Sequence, residues 1–184
     1  MSKYKNRVCP MESAGSLDTK FRRWLQNPYR LLKQYIIEGL TVLDVGCGPG
    51  FFSIPLAEMV GPAGKVIAAD LQEGMLEIIH NKIKSTDLEK NIQLHKCEKE
   101  RIGYTGEVDF VLAFYVIHEL PDQKKFFDEM FSILKPGGYF LIVEPKMHIS
   151  KKDLTTTISQ SGDAGFQLFD LPKIFLSRSV VLKK

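Results

Sequence analysis

The sequence predicts an α/β fold: a doubly wound, mostly parallel sheet with helices on both faces. Three observations predict it. From Thr41 onward, apolar strand-like runs alternate with amphipathic helix-like stretches, the pattern of consecutive βα units. The first such run, Val42-Leu43-Asp44-Val45, opens directly into Gly46-Cys47-Gly48-Pro49-Gly50, so bare backbone sits where a strand's carboxyl end turns into a helix. The last two apolar runs are separated by a handful of residues that include Pro172. That is too short for a right-handed helical crossover, so they pair as an antiparallel hairpin at the sheet edge.

The elements follow in order. Residues 1–18 are polar and aperiodic. Thr19 to Glu38 read as a helix broken near Pro28, with Leu32, Tyr35 and Ile36 on one face. Thr41 to Val45 is the first strand, and Phe51 to Val60 the helix after the glycine turn. Lys65 to Ala69 is the second strand, ending at Asp70. Glu73 to Ser85 is a helix with Met75, Ile79 and Ile83 at steps of four. Ile92 to His95 is the third strand, and Lys96 to Glu107 a polar loop with a short helix. Val108 to Phe114 is a continuously apolar fourth strand, as buried parallel strands are. Pro121 to Leu134 is a helix whose core face carries Phe127, Met130, Phe131 and Leu134. Lys135-Pro136-Gly137-Gly138 is a stop and turn, and Tyr139 to Val143 the fifth strand. Lys151 to Ser161 is a helix, and Gln167 to Asp170 with Ser177 to Leu182 form the final hairpin.

Bulk properties bound the function. A chain of 184 residues, 44% hydrophobic and 26% charged, is expected to form one domain with a substantial core. A net charge of +3 permits an anionic partner without demanding one. Cys9, Cys47 and Cys97 are scattered and odd in number, which argues against a disulfide framework and for a reducing, cytoplasmic setting. Met1 to Pro10 lacks the apolar core of a signal peptide, and Val108 to Ile117, the most apolar run, is too short to span a bilayer.

The glycine turn carries the chemistry. Dinucleotide sites use Gly-x-Gly-x-x-Gly, but the third glycine of that template falls on Phe51 here. The glycines stand instead at 46, 48 and 50, with Asp44 inside the strand end. An acid there suits a cationic ligand better than a pyrophosphate. S-adenosylmethionine offers an ammonium and a sulfonium and no phosphate. Asp70, about twenty residues on, stands where a carboxylate accepts from both ribose hydroxyls.

Leu43-Asp44-Val45-Gly46-Cys47-Gly48-Pro49-Gly50 resembles the signature of class I S-adenosylmethionine-dependent methyltransferases. Val66 to Asp70, Val108 to Leu112 and Leu134 to Leu141 fit the same pattern in order and spacing, over roughly Thr41 to Lys184. The chain is most similar to the small-molecule methyltransferases that include ubiquinone and menaquinone biosynthesis enzymes. The resemblance implies a Rossmann-like seven-stranded sheet with an antiparallel last strand. It also implies S-adenosylmethionine as cofactor, with residues 1–40 as a helical lid on a methyltransferase domain spanning 41–184. Asp44 and Gly46 would hold the methionine moiety, with Cys47, Gly48 and Gly50 in the cofactor turn. Asp70 would bind the ribose, and Leu71 and Met75 would lie against the adenine. Many relatives place Gly-Asp-Ala after the third strand. Lys96-Cys97-Glu98 stands there in this chain, which assigns Cys97 and Glu98 to the adenine side. Phe114 completes the cofactor set.

Ligands in such sheets sit beyond the carboxyl ends of the strands, so Phe114, Tyr115, His118, Glu144 and His148 are the acceptor-side candidates. Methyl transfer needs alignment of donor and acceptor and, for some acceptors, removal of a proton. His118 is the candidate base and Tyr115 a second catalytic or wall residue; a loop-capping role for His118 is the even alternative. No metal is expected. Cys9 is a candidate soft ligand, with an ordinary free cysteine the commoner reading. Arg22, Arg23, Arg30 and Lys33 read as a solvated basic face, and Trp24 and Tyr29 as packing residues. The expected partner is a small-molecule methyl acceptor, without nucleic acid, for a monomer or homodimer. RNA or protein methylation and non-catalytic cofactor binding are the alternatives.

Overall fold

The computed structural model describes residues 25–184. The chain enters through a short helix α1 (Pro28–Leu32), capped by the Asn27 side chain on the Arg30 N–H. Seven strands then form one sheet: β1 (Thr41–Val45), β2 (Lys65–Asp70), β3 (Ile92–Lys96), β4 (Val108–Phe114), β5 (Leu134–Pro145), β6 (Gln167–Asp170) and β7 (Ser177–Lys183). Their order is β3-β2-β1-β4-β5-β7-β6. All pairings are parallel except those of β7, which runs antiparallel to both β5 and β6. The connecting helices are α2 (Ser53–Val60), α3 (Glu73–Ile83), α4 (Gln123–Ile133) and α5 (Lys151–Asp163). The seven-stranded, doubly wound expectation holds, down to the final hairpin.

Strand periodicity divides the core in two. Val42, Ala68, Leu112 and Leu141 face a cluster with Leu32, Leu56 and Ile79, so α1 to α3 cover one face. Leu43, Ile67, Val111 and Ile142 face another with Phe127, Met130 and, at its margin, Leu154 and Ile158, so α4 and α5 cover the other. Both faces are sealed, which explains why the strands are apolar at nearly every position. The strand order reverses between β1 and β4, and there the carboxyl ends open a crevice.

Four local expectations are corrected. The segment 97–107 contains no helix; Glu129 on α4 accepts the Ile102 and Gly103 N–H groups at 3.0 and 2.6 Å, so these donors are not spent on a helical ladder. Residues 135–138 are not a simple turn before a strand. β5 begins at Leu134 opposite Val108, bulges, and resumes with Tyr139 opposite Phe110. Gly137 supplies the positive φ of +80° for that bulge, and an added Cβ at Gly138 would stand 2.9 Å from the Asp109 carbonyl oxygen. On α4, Phe126 and Ile133 join Phe127 and Met130 in the core, whereas Phe131 is half-buried, edge-on to Phe166. α2 starts two residues late, at Ser53, because Pro49 to Phe52 complete the glycine turn.

The helix expected from Thr19 is described only from residue 25 onward; Cys9, Arg22, Arg23 and Trp24 lie outside the described residues. Arg30 and Lys33 are exposed, and the Tyr29 hydroxyl bonds Glu58 on α2. No helix among the described residues is long and apolar enough to cross a membrane.

Candidate active site

β1 stops at Val45 because the next residues take conformations open chiefly to glycine. Gly46, Gly48 and Gly50 have φ of +66°, +53° and +89°. The Gly46 and Cys47 N–H groups donate to the Ala69 carbonyl at 2.8 and 3.1 Å, tying the turn to the end of β2. A Cβ on Gly46 would lie 2.7 Å from Val116 Cγ2, so the missing side chain lets the loop after β4 close over the turn. A Cβ on Gly50 would meet Ile79 of α3 at 3.0 Å.

Asp70 locks the two βα turns together. Its Oδ2 accepts the Gly48 N–H at 2.9 Å and its Oδ1 accepts the Gln72 N–H at 2.8 Å. Each oxygen keeps a further acceptor position. Burial pushes the carboxyl above its usual range, against the opposing pull of those N–H groups and of Lys96. Asp44 is 2% exposed and accepts the Ser53 hydroxyl at 2.6 Å, so the first turn of α2 holds an acid under the glycine turn.

These groups line a crevice with about 1040 Å³ of free space, part of it open to solvent. Asp44, Gly46, Cys47, Gly48 and Asp70 line it, as do Leu71, Met75, Cys97, Glu98, Phe114 and Tyr115. Of the expected cofactor residues only Gly50 is not on the wall; its role is the approach of α3. Phe52, Phe114 and Tyr115 form a continuous aromatic side, with ring centroids 4.4 and 4.5 Å apart. Gln72, Val116 and Ile102 also line the crevice. Gln72 had a readable signal, two residues past Asp70 at a helix start; Ile102 lies in a polar loop and had none.

Glu98 is held in a two-pronged ion pair with Arg101, at 2.9 and 2.6 Å, and that hydrogen bond lowers its pKa. The Cys97 N–H donates to the Asp70 carbonyl at 2.9 Å. Burial pushes the Cys97 thiol up to about 12 and the Cys47 thiol well above its ordinary value, so neither supplies a thiolate at neutral pH.

Tyr115 sits on the wall with φ of +66°, a left-handed conformation that costs about 1 kcal/mol or more in a bulky residue. Its hydroxyl accepts from Gln26 Nε2 at 2.6 Å and lies 2.7 Å from Ser177 Oγ. Ser177 donates to the Phe175 carbonyl at 3.1 Å, which leaves the tyrosine proton for Ser177.

His118 stands apart from its expected place. It is buried, but it lines a separate depression between the start of α4 and α5, with Pro121, Asp153 and Gln160. The cause is Glu144 at the end of β5, itself 2% exposed. Its carboxylate accepts the Ile117 and His118 N–H groups at 3.0 and 3.2 Å and His118 Nδ1 at 2.6 Å, drawing the imidazole away from the crevice. Nε2 stands 3.3 Å from His148 Nδ1. Burial opposes the imidazolium, but the Glu144 hydrogen bond and the charges of Glu144 and Glu119 outweigh it and raise the pKa. Glu119, one residue on, does line the crevice, with Asp44, Asp70 and Glu98. Among the described residues, no three His, Cys, Asp or Glu are grouped to hold a metal ion.

Residues 36–170 match a family model described as a methyltransferase domain. The chain belongs to this family. It is 38% identical over 109 residues to the demethylmenaquinone methyltransferase of Lactococcus lactis, covering 59% of this chain and 43% of that protein. It is 34% identical over 143 residues to the demethylmenaquinone methyltransferase of Lactobacillus johnsonii, covering 75% and 57%. This methyltransferase domain thus spans about half the length of the curated relatives it matches. Among solved structures, it superposes on an S-adenosylmethionine-dependent methyltransferase from Aquifex aeolicus with a TM-score of 0.84 and 30% identity, over 95% of this chain and 98% of that one. A methyltransferase from Pyrococcus furiosus, 19% identical with a TM-score of 0.70 over 94% and 97%, shares the fold.

Proposed function

We propose that this methyltransferase domain transfers the methyl group of S-adenosylmethionine to a small acceptor with an apolar, quinone-like ring. The observation that carries the donor half is the Asp70 carboxylate, fixed between the Gly48 and Gln72 N–H groups with acceptor capacity left on both oxygens. A ribose diol is the natural occupant of two adjacent acceptors. The glycine turn fits the same cofactor, since a side chain at Gly46 would collide with Val116 across the crevice.

When bound, the cofactor supplies an electrophilic methyl group on a sulfonium. The chain's own residues bind, orient and exclude water. Asp44, buried beneath the turn, sets a negative charge beside a cationic ligand. Phe52, Phe114 and Tyr115 give the acceptor side an apolar, aromatic wall, which suits a planar ring better than a polar chain. Tyr115 serves to orient the acceptor, since its hydroxyl is engaged by Gln26 and Ser177. Glu119 is a wall carboxylate on the same side as Tyr115 and Val116, and His118 positions the Ile117–Glu119 turn through Glu144. The curated relatives' names add the substrate class: both are demethylmenaquinone methyltransferases.

The protein is read as cytoplasmic, monomeric or homodimeric, with residues 1–40 acting as a lid; the reach of Gln26 to Tyr115 supports that lid. The test is transfer of radiolabelled methyl from S-adenosylmethionine into a cell extract, followed by partition into organic solvent and identification of the product. Label in a lipophilic quinone or quinol is expected. Label confined to RNA or protein, or tight NAD binding with none for S-adenosylmethionine, would overturn the reading.

A further inference from the structure

Among the described residues, most of the exposed large apolar side chains lie at one place. Leu168, Phe169, Leu171, Phe175 and Leu176 fall within a single stretch of the β6–β7 hairpin and are all exposed. Ile174 between them is buried and anchors the tip, so its neighbours Phe175 (56% exposed) and Leu176 (58%) are held outward. Leu176 adopts a φ of +52°, which a leucine takes only at a cost. Met147, 90% exposed, lies beside it, because the Lys146 N–H donates to the Leu176 carbonyl at 3.0 Å. A soluble fold has no packing reason to strain a backbone in order to show three large apolar side chains to water.

Basic side chains stand near the tip. Lys146 and Lys173 are exposed beside it, and Lys151 and Lys152 are exposed at the start of α5, which Arg178 Nε ties to β7 by donating to the Ile149 carbonyl at 2.7 Å. Lys151 and Lys152 occupy the first turn of α5, where the helix dipole disfavours cations and Asp153 alone offsets them. The tip also lies on the carboxyl edge of the sheet. β7 begins at Ser177 opposite Pro145, the end of β5, and Ser177 bonds the Tyr115 hydroxyl on the crevice wall.

We propose that the β6–β7 tip, with Leu171, Phe175, Leu176 and Met147 and the nearby lysines, docks on an anionic lipid bilayer and holds the mouth of the crevice against it. Apolar side chains entering the headgroup region beside cations that meet anionic lipid is the usual chemistry of peripheral membrane binding. A second copy of the chain is the poorer occupant, since two such tips face to face would bring both sets of lysines together. The docking concerns the partner of the proposed site and rests on that reading only for what the lipid would deliver; it is measured without cofactor or acceptor.

The full chain is floated with vesicles of phosphatidylcholine and phosphatidylglycerol, and with phosphatidylcholine alone. Binding to the anionic vesicles, weakened by salt, is expected. Phe175→Ser with Leu176→Asn should lower it roughly tenfold or more; asparagine tolerates the left-handed backbone, so the hairpin is retained. Lys151→Glu with Lys152→Glu should lower it at least about twentyfold, at roughly fivefold per basic residue, while favouring the α5 dipole and therefore the fold. Lys84→Ser with Lys90→Ser, exposed at the β3 edge of the sheet, should leave it unchanged. S-adenosylmethionine affinity by calorimetry should be the same in all three, which separates a failure of docking from a failure of the proposed activity. Absence of vesicle binding, binding indifferent to the tip variants, binding lost only with the Lys84 and Lys90 variant, or a dimer that the tip variants dissociate would each overturn the proposal.

Discussion

Removing the Asp70 carboxylate tests the donor site most directly. In Asp70→Ala, a ribose would lose two hydrogen bonds to a charged acceptor. At about 1.5 kcal/mol each, the low end for such bonds, that is about 3 kcal/mol, or roughly a hundredfold in dissociation constant. The effect on the fold alone should be much smaller. Burial raises the carboxyl's pKa above its usual 3.8, so the folded state favours the protonated form and bears a cost for the ionised group at neutral pH. Alanine removes that cost but leaves the Gly48 and Gln72 N–H groups without their acceptor, about 1–3 kcal/mol for each group that finds no water. The two terms oppose, and the melting temperature without cofactor should move by only a few degrees. Calorimetric titration with S-adenosylmethionine reads the affinity, and a thermal melt of the same sample reads the fold. Asp70→Asn, which keeps one acceptor oxygen, should fall between wild type and alanine. An alanine variant that binds within threefold of wild type, with its fold intact, would refute the ribose assignment.

Three more outcomes are expected. Cofactor affinity should fall on acidification at a pH above the ordinary aspartate range, because the raised pKa of Asp70 protonates the acceptor early; calorimetry across acidic pH reads this, and a flat profile counts against it. Gly46→Ala should destabilise the fold by about 1–3 kcal/mol in denaturant titration and weaken cofactor binding, since its Cβ must displace Val116 from a backbone with φ of +66°. His118 has a folded pKa above its unfolded value of 6.5, so the stability it contributes is full below that value and is lost as pH rises through the folded one. The melting-temperature gap between wild type and His118→Gln should therefore narrow with rising pH, and a constant gap would contradict the Glu144 pairing.

How much was legible in advance follows from which interactions are local. The glycine turn, Asp44 and Asp70 were readable because each is fixed by its own strand end and by backbone conformations that only glycine takes freely. The antiparallel hairpin was readable from loop length alone. His118 was not, because its direction is set by a carboxylate twenty-six residues away on the next strand. The bulge at residues 135–138 looked like a turn because the same two glycines serve either purpose. It takes the register of β4 against β5 to tell them apart. The 97–107 segment looked polar enough for a helix, but Glu129 claims its N–H groups from α4.

The two halves of the crevice differ in how the fold builds them, and that difference bears on what each can do. The wall proposed for the donor is two consecutive βα turns bonded to each other through Asp70. The wall proposed for the acceptor is assembled at long range: Gln26 reaches Tyr115 across 89 positions of sequence, and Tyr115 reaches Ser177 across 62. Ser177 in turn bonds the carbonyl of Phe175, in the exposed hairpin tip. A force on that tip therefore passes through two hydrogen bonds to a strained wall residue of the acceptor side, and through none to Asp70. Docking of the tip should accordingly change acceptor affinity while leaving cofactor affinity alone, a separation that the donor wall's own closure makes possible.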